Sequence, residues 1–506
     1  MHAPTFLAFD LGAESGRAVL GTLMDEVLTL DEIHRFPNEP VQLGDTLHWN
    51  LLWLYASVLR GLQAAAGYRG EIESFGIDSW SLDFGLLGGR RESWENGSED
   101  LGPEACALEL LGNPVHYRDR RTEGLVEIAS QALLPRRMFE LTGLTPNQIH
   151  TAFQLYALRL SHSPLLRAAE TFLMIPDLLG YYLTGARVCE RTNAIHTQLY
   201  DPRKGDWCAE MFGALDLPIE IMPPLVDPGT RLGTLTEQVQ QATGLGPLQL
   251  VAPCTHDTGS AVAAVPAEGP ADAFLSSGTW SILGALTAEP ITTPEAFAAR
   301  LNNELSMGFF ICRNIMGLWL LQQARAAWER AGQPLSYEEL EARAAQAPPG
   351  GPIVVPDAPV FLAPPDMPTA IREFCRATGQ TVPDSVEMMA RCILESLALS
   401  YRHGLEQFGR VLGQRFMNLR IVGGGSQNGL LCRLTADATG LFTTAGPVEA
   451  TVVGNLLVQA WATGHLHSTA EMREVVRNSF ELEEYEPRRN AVLEEQYGKF
   501  VEMAEA

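Results

Sequence analysis

At 506 residues the chain is too long for one ordinary hydrophobic core and is read as two domains or more. A formal net charge of −25 argues against nucleic acid or an anionic membrane surface as partner, and any anionic substrate needs local donors to offset that field. No apolar run reaches the ~18 residues of a membrane span. The N-terminus has no basic secretory segment and the eight scattered cysteines form no C-x-x-C pair, so a cytoplasmic protein with reduced thiols is predicted.

The chain opens on "TFLAFDLG", an apolar run ending in Asp10 and Gly12. The turn "AESG" and a second apolar run, "RAVLGTL", complete a β-hairpin. A helix follows near 50–66 with Asn50 as its cap, then the strands "SFGIDSW" and "SLDFGLLG". Residues 88–114 turn polar and Gly-rich and are expected to be a surface loop or small insertion. Residues 151–185 read as helical, stopping at Gly185, and "LQLVAPC" is the next buried run. At 272–286 the hairpin outline returns in "DAFLSSGTWSILGAL", which fits two related halves or two unrelated hairpins equally.

In the last third, Val386, Met389, Ile393, Leu394, Leu397 and Tyr401 recur at helical spacing, with Asp384 or Ser385 as cap. "LRIVGGGSQN" then reads as a strand ending in glycines and "GLLCRLTADATG" as a helix stopped by Gly440. "LFTTAG" is another strand, and "TVVGNLLVQAWATG" is an apolar helix. Strands and helices alternate throughout, so the fold class is α/β.

"CTHDTGSAVAAV", residues 254–265, spells around Asp257 the letters of a pepsin-like protease loop. The Ala-rich run after Asp257 favours a helix, and no second Asp-Thr-Gly exists to complete a carboxylate dyad. Asp257 is then read as a helix N-cap, held ionised by the helix terminus and still available as a base. His256 is the alternative base near neutral pH, and a zinc role for it finds no partners at ligand spacing. The turn "DLGAESGR" matches neither a dinucleotide nor a Walker motif. It does gather backbone N–H groups, Ser15 and Arg17, the donors a phosphate chain needs. "SSGTW" offers Ser276, Ser277 and Thr279 in the same way, and "GGGSQN" leaves bare backbone for a ligand to approach.

These segments occur with "GIDSW", "YRDRRT", "IPDLLGYYLTG" and "NIMGLWLLQ" in the order seen in the FGGY carbohydrate kinases, which nearly the whole chain resembles. The resemblance implies two actin-like (ribonuclease-H-like) α/β domains with an active-site cleft between them. Residues 1–247 would form the sugar side and 248–506 the nucleotide side. The implied reaction is ATP-dependent phosphorylation of the 1-hydroxyl of L-rhamnulose. L-Fuculose or L-xylulose is the alternative within the family, and a non-catalytic actin-like ATP-binding module the alternative outside it.

By the same resemblance Asp257 is the general base, and Ser81, His256, Asp257, Thr258 and Asn314 contact sugar. Ala13, Glu14, Ser15, Gly16, Arg17, Thr279, Gln322 and Gly424 contact ATP, while Asp10 holds Mg²⁺ through water. The chain departs from the family's pattern in carrying Ser81 for a usual Gly, Glu14 for a common Ser, and a longer connection at 88–113. Trp80 and Asp83 read either as sugar-pocket wall or as core, and Cys375 and Cys392 as two buried free thiols.

Overall fold

The computed structural model describes residues 3–90 and 108–505. Residues 91–107 of the expected insertion, Cys106 among them, lie outside the described residues. The chain forms two compact units. The first comprises 1–264, 288–310 and 451–479, the second 265–287, 311–450 and 480–506.

The first unit is built on a six-stranded sheet. Its spatial order is Arg231–Thr234, Gln249–Val251, Ser74–Ser79, Thr5–Leu11, Ser15–Met24, Val27–Pro37. The expected hairpin is antiparallel and sets Asp10 opposite Arg17. Ser74–Ser79 runs parallel to Thr5–Leu11, with Asp78 opposite Asp10. Gln249–Val251 adds a further parallel strand. Phe6, Leu7, Ala8 and Phe9 are all buried, because a central parallel strand has both faces covered and reads as an unbroken apolar run. Helix Leu51–Ala65 starts at Asn50, whose Oδ1 accepts from Trp53 N at 3.2 Å. It packs Leu54, Val58 and Leu62 into one cluster with Phe9 and Phe75.

The second unit repeats this sheet order. Phe309–Met316, Trp280–Thr287, Asp272–Ser277, Asn418–Val422, Phe442–Ala445 and Glu483–Tyr485 lie side by side. Again an antiparallel hairpin is followed by two parallel strands and an antiparallel edge strand. The similarity of the segments at 5–23 and 272–286 is therefore that of two related halves. Helix Val386–Leu412 begins at Ser385, whose Oγ accepts from Met388 N at 3.2 Å, and ends at Gly413 with φ 62°. Helix Gly429–Thr439 is capped by Asn428 and stopped by Gly440 at φ 69°.

One expectation is corrected. Residues 151–185 are not all helix, since Thr171–Met174 is a strand between helices Pro164–Ala168 and Ile175–Thr184 and pairs with Phe84–Arg90. Four residues, "TFLM", three of them apolar, are too few to show a period, so pairing decides their state. "SFGIDSW" and "SLDFGLLG" enter different sheets. The chain breaks between them at Leu82, whose φ of 83° is strained for a branched side chain. The described cysteines are all free and buried, and the thiols of Cys375 and Cys392 meet in a hydrogen bond.

Candidate functional site

The first unit gathers its acidic groups at the carboxyl ends of parallel strands, where α/β sheets open toward ligands. Ser79 N donates to Thr255 O at 2.9 Å, and Ser79 bridges to His256, so the loop before residue 257 is sewn to a strand end. Asp10 and Asp78 sit side by side in register, and Asp257 opens the helix Asp257–Ala263.

Asp257 is the first helical residue rather than the cap. His256 holds the N-cap position and makes no capping bond with its side chain. Asp257 Oδ1 accepts from Thr258 N at 2.5 Å and from Thr258 Oγ1 at 3.2 Å. The helix start does not keep Asp257 a strong acid, contrary to the reading from sequence. Burial first, and then the Asp10 charge, push its carboxyl up to about 7. The same burial, helped by His196, drives the His256 imidazole well below its ordinary value. Of the pair, Asp257 has the more accessible side chain, 33% exposed against 7% for His256.

Two buried groups missed in the sequence hold this corner. Glu190 accepts from Thr192 N at 2.8 Å, from Thr255 N and Oγ1 at 2.9 Å each, and from Thr192 Oγ1. Thr192 Oγ1 in turn accepts from His256 N at 3.2 Å. Burial raises Glu190 to about 7. Asp78 lies inside the quoted "GIDSW", and its signal was a second Asp at the end of a second apolar run. Burial and then the Asp10 charge raise it well above the carboxylate range, while Asn455 Nδ2 donates to its Oδ2 at 2.6 Å. Gln459 locks Asn455 in turn at 2.7 Å. Glu190 and Asn455 have no local sequence signal, because distant segments bring them to the site.

The turn of the first hairpin is braced by Gly12 N to Ser15 O at 2.9 Å and by Asn38, which donates to Gly12 O at 2.8 Å and Glu14 O at 2.9 Å. Ala13 and Ser15 are half-buried and Glu14 is exposed. Gly16 is buried where a side chain would strike the Phe36 ring, so packing alone requires that glycine. Arg17 forks onto Asp10 Oδ2 through Nε at 3.0 Å and Nη2 at 2.8 Å. A carboxylate such as Asp10 offers the oxygen donors that Mg²⁺ takes, directly or through water.

In the second unit, Thr279 lies in the hairpin turn, and its carbonyl accepts from Gly317 N at 3.1 Å and Trp319 N at 3.2 Å. That seats the turn against the start of helix Trp319–Arg330, which carries Gln322. A side chain at Gly423 or Gly425 would strike Ser277, whereas Gly424 is exposed and a Cβ there would meet no atom within 4 Å. Of the three glycines, Gly424 is the one open to a ligand. Asn314 is exposed on strand Phe309–Met316.

Ser81 is buried beside the strained Leu82. Trp80 and Asp83 behave as core. Asp83 Oδ2 accepts from Trp49 Nε1 at 2.6 Å and Trp80 Nε1 at 3.0 Å, and its Oδ1 from Gln154 at 3.1 Å. Trp49 stacks on Trp80 and His116 with ring centroids 4.0 and 4.2 Å apart.

Two sheets of matching strand order, each with an antiparallel hairpin, define a two-domain actin-like fold. The chain belongs to the FGGY family of carbohydrate kinases, whose N-terminal domain matches residues 107–264 and whose C-terminal domain matches 273–463. It is therefore a carbohydrate kinase. Its sequence is 40% identical over 498 residues to the rhamnulokinase of Bacteroides thetaiotaomicron, covering 98% of each chain. Against the rhamnulokinase of Pectobacterium atrosepticum it is 37% identical over 492 residues, 96% of this chain and 94% of that one. Similar solved structures include the Plasmodium falciparum glycerol kinase with ADP, at TM-score 0.78 and 14% identity over 100% of this chain and 97% of that one. The gluconate kinase of Lactobacillus acidophilus matches at TM-score 0.77 and 15% identity over 99% and 97%. At those identities the structures speak to the fold alone. Among the described residues no helix is long and apolar enough to cross a membrane.

Proposed function

We propose that this kinase transfers the γ-phosphoryl group of ATP to the 1-hydroxyl of L-rhamnulose, with Asp257 as general base. The observation that carries the reading is Asp257 itself, a carboxylate held at about 7 beside a neutral His256. The 40% identity to a rhamnulokinase over 98% of the chain supports the choice of sugar.

Thr258 occupies Asp257 Oδ1, which leaves Oδ2 to take the proton of the sugar hydroxyl. That hydroxyl oxygen forms the new bond to the γ-phosphorus as the bond to the β-bridging oxygen breaks, and ADP leaves. A base near neutrality is half ready at physiological pH and strong enough to accept the proton late in the transfer. His256, Thr258, Ser81 and Asn314 position the sugar. In the first unit the turn Ala13–Arg17 offers the donors for phosphate; in the second, Thr279, Gln322 and Gly424 are the nucleotide contacts. Mg²⁺ held at Asp10 would supply charge neutralisation on the transferring oxygens. Free, buried cysteines fit a cytoplasmic location.

One observation favours a second sugar within the same reaction. Ser81 replaces the family's usual glycine, and an added hydroxymethyl group suits a ketose with a different hydroxyl pattern, such as L-fuculose or L-xylulose. Asp257→Asn should abolish ADP release while nucleotide binding, read by calorimetry, stays within about threefold of wild type. His256→Asn should raise the sugar KM and leave measurable kcat. The reverse ranking of the two variants would make His256 the base.

A further inference from the structure

We propose that the first unit holds a second metal site, for a transition metal of the zinc class, formed by His196, His256 and Glu304. The three side chains come from separate parts of the chain. His196 lies in the turn Ile195–Thr197, His256 in the loop before helix Asp257–Ala263, and Glu304 in strand Asn302–Leu305. All three are buried. Glu304 Oε2 lies 3.3 Å from His196 Nε2 and 3.9 Å from His256 Nδ1, and one ligand atom from each of the three falls within 4.8 Å of the others.

Neither of those imidazole nitrogens has a hydrogen-bond partner. On the far side of its ring, His256 Nε2 lies 3.2 Å from Asp257 Oδ1. In the tautomer that carries its proton on Nε2, His256 presents the Nδ1 lone pair to Glu304. A lone pair and a carboxylate oxygen at 3.9 Å repel unless a cation lies between them. A carboxylate behind a histidine ligand is also the usual outer support of a bound metal.

Bonds of about 2.0–2.2 Å around a tetrahedral zinc put ligand atoms roughly 3.3 Å apart, the separation His196 and Glu304 already have, so His256 is the ligand that has to close in. Two imidazoles select zinc, cobalt, nickel or copper over magnesium, which takes oxygen ligands and would stay with the nucleotide. The frame is firm. Asn303 donates to Gly143 O at 3.0 Å and Ile291 O at 2.9 Å, and Ser306 Oγ donates to Gly259 O at 2.6 Å, tying the Glu304 strand to the helix behind His256. A metal here takes His256 away from the sugar and sets a positive charge beside Asp257. Inhibition of the kinase follows, a consequence that rests on the proposed function, whereas metal binding does not.

The test is titration of the chelator-treated full chain with Co²⁺, followed by visible absorption. One equivalent should bind and give d–d bands of a nitrogen–oxygen set, without the near-ultraviolet band of a cobalt thiolate. His196→Ala and Glu304→Gln should each weaken binding at least tenfold. The glutamine variant keeps shape and hydrogen-bonding capacity, so it decides the matter if the alanine variant fails to fold. No uptake, uptake unchanged in Glu304→Gln, or a thiolate band would overturn the site. In turnover assays with Mg²⁺ and ATP, Zn²⁺ should raise the sugar KM at least tenfold and a chelator should reverse it. Tight Co²⁺ binding with an unchanged sugar KM would overturn the inhibitory role. An enzyme silent on every sugar would refute the proposed function and leave the cobalt result standing.

Discussion

Asp257 is held at an energetic disadvantage, so Asp257→Asn should stabilise the first unit while stopping catalysis. Burial and the Asp10 charge raise its carboxyl from 3.8 to about 7. The ionised group therefore disfavours folding by up to about 4 kcal/mol above neutral pH. With 33% of the side chain open to water, solvent screening leaves about half of that, ~2 kcal/mol. The folded state has the higher pKa, so it gains from protonation. The penalty is absent below about pH 4, grows up to about pH 7, and is constant beyond. Asparagine does not titrate, and its Oδ1 can keep the bonds from Thr258. Urea denaturation at pH 8 should show the variant ahead by ~2 kcal/mol, and at pH 5 by less than half as much. An equal advantage at both pH values, or none at pH 8, would refute the argument that burial and Asp10 set this carboxyl.

The same pKa gives kcat/KM an acid limb. Since the base must be ionised, activity at pH 6 should be about one-tenth of its alkaline plateau, and a limb near pH 4 would contradict this. Ser81→Gly should change the KM for L-rhamnulose about tenfold and leave the KM for ATP alone, as expected of a residue that shapes only the sugar's fit. A side chain at Gly454 would overlap the Ser260 carbonyl, so Gly454→Ala should push the Asp257 helix aside. Thermal or urea unfolding should register a loss of about 1–3 kcal/mol, with kcat falling as well.

Much of the fold was legible because local chemistry wrote it. Asn50 and Ser385 announced helix starts, Gly185 and Gly440 announced stops, and paired apolar runs gave both hairpins. Thr171–Met174 was hidden because a four-residue run fits helix or strand until a partner strand arrives. Asp257 was found, but its cap role and its acidity were misjudged. A sequence shows that an Asp precedes a helix. It does not show that a sheet strand brings Asp10 up to oppose its charge. The cluster of His256 with His196 and Glu304 was hidden for the same reason, since the two lie 60 residues before it and 48 after it. Long-range packing, not spacing, joins that cluster.

The central claim is tested most directly by ADP release from the wild-type chain, with Mg²⁺ and ATP, across L-rhamnulose, L-fuculose and L-xylulose. The account predicts a kcat/KM for L-rhamnulose at least about tenfold above the other two, the discrimination one well-placed contact supplies. A higher value on another ketose would contradict the sugar assignment, and no ADP release on any of them would contradict the kinase mechanism itself.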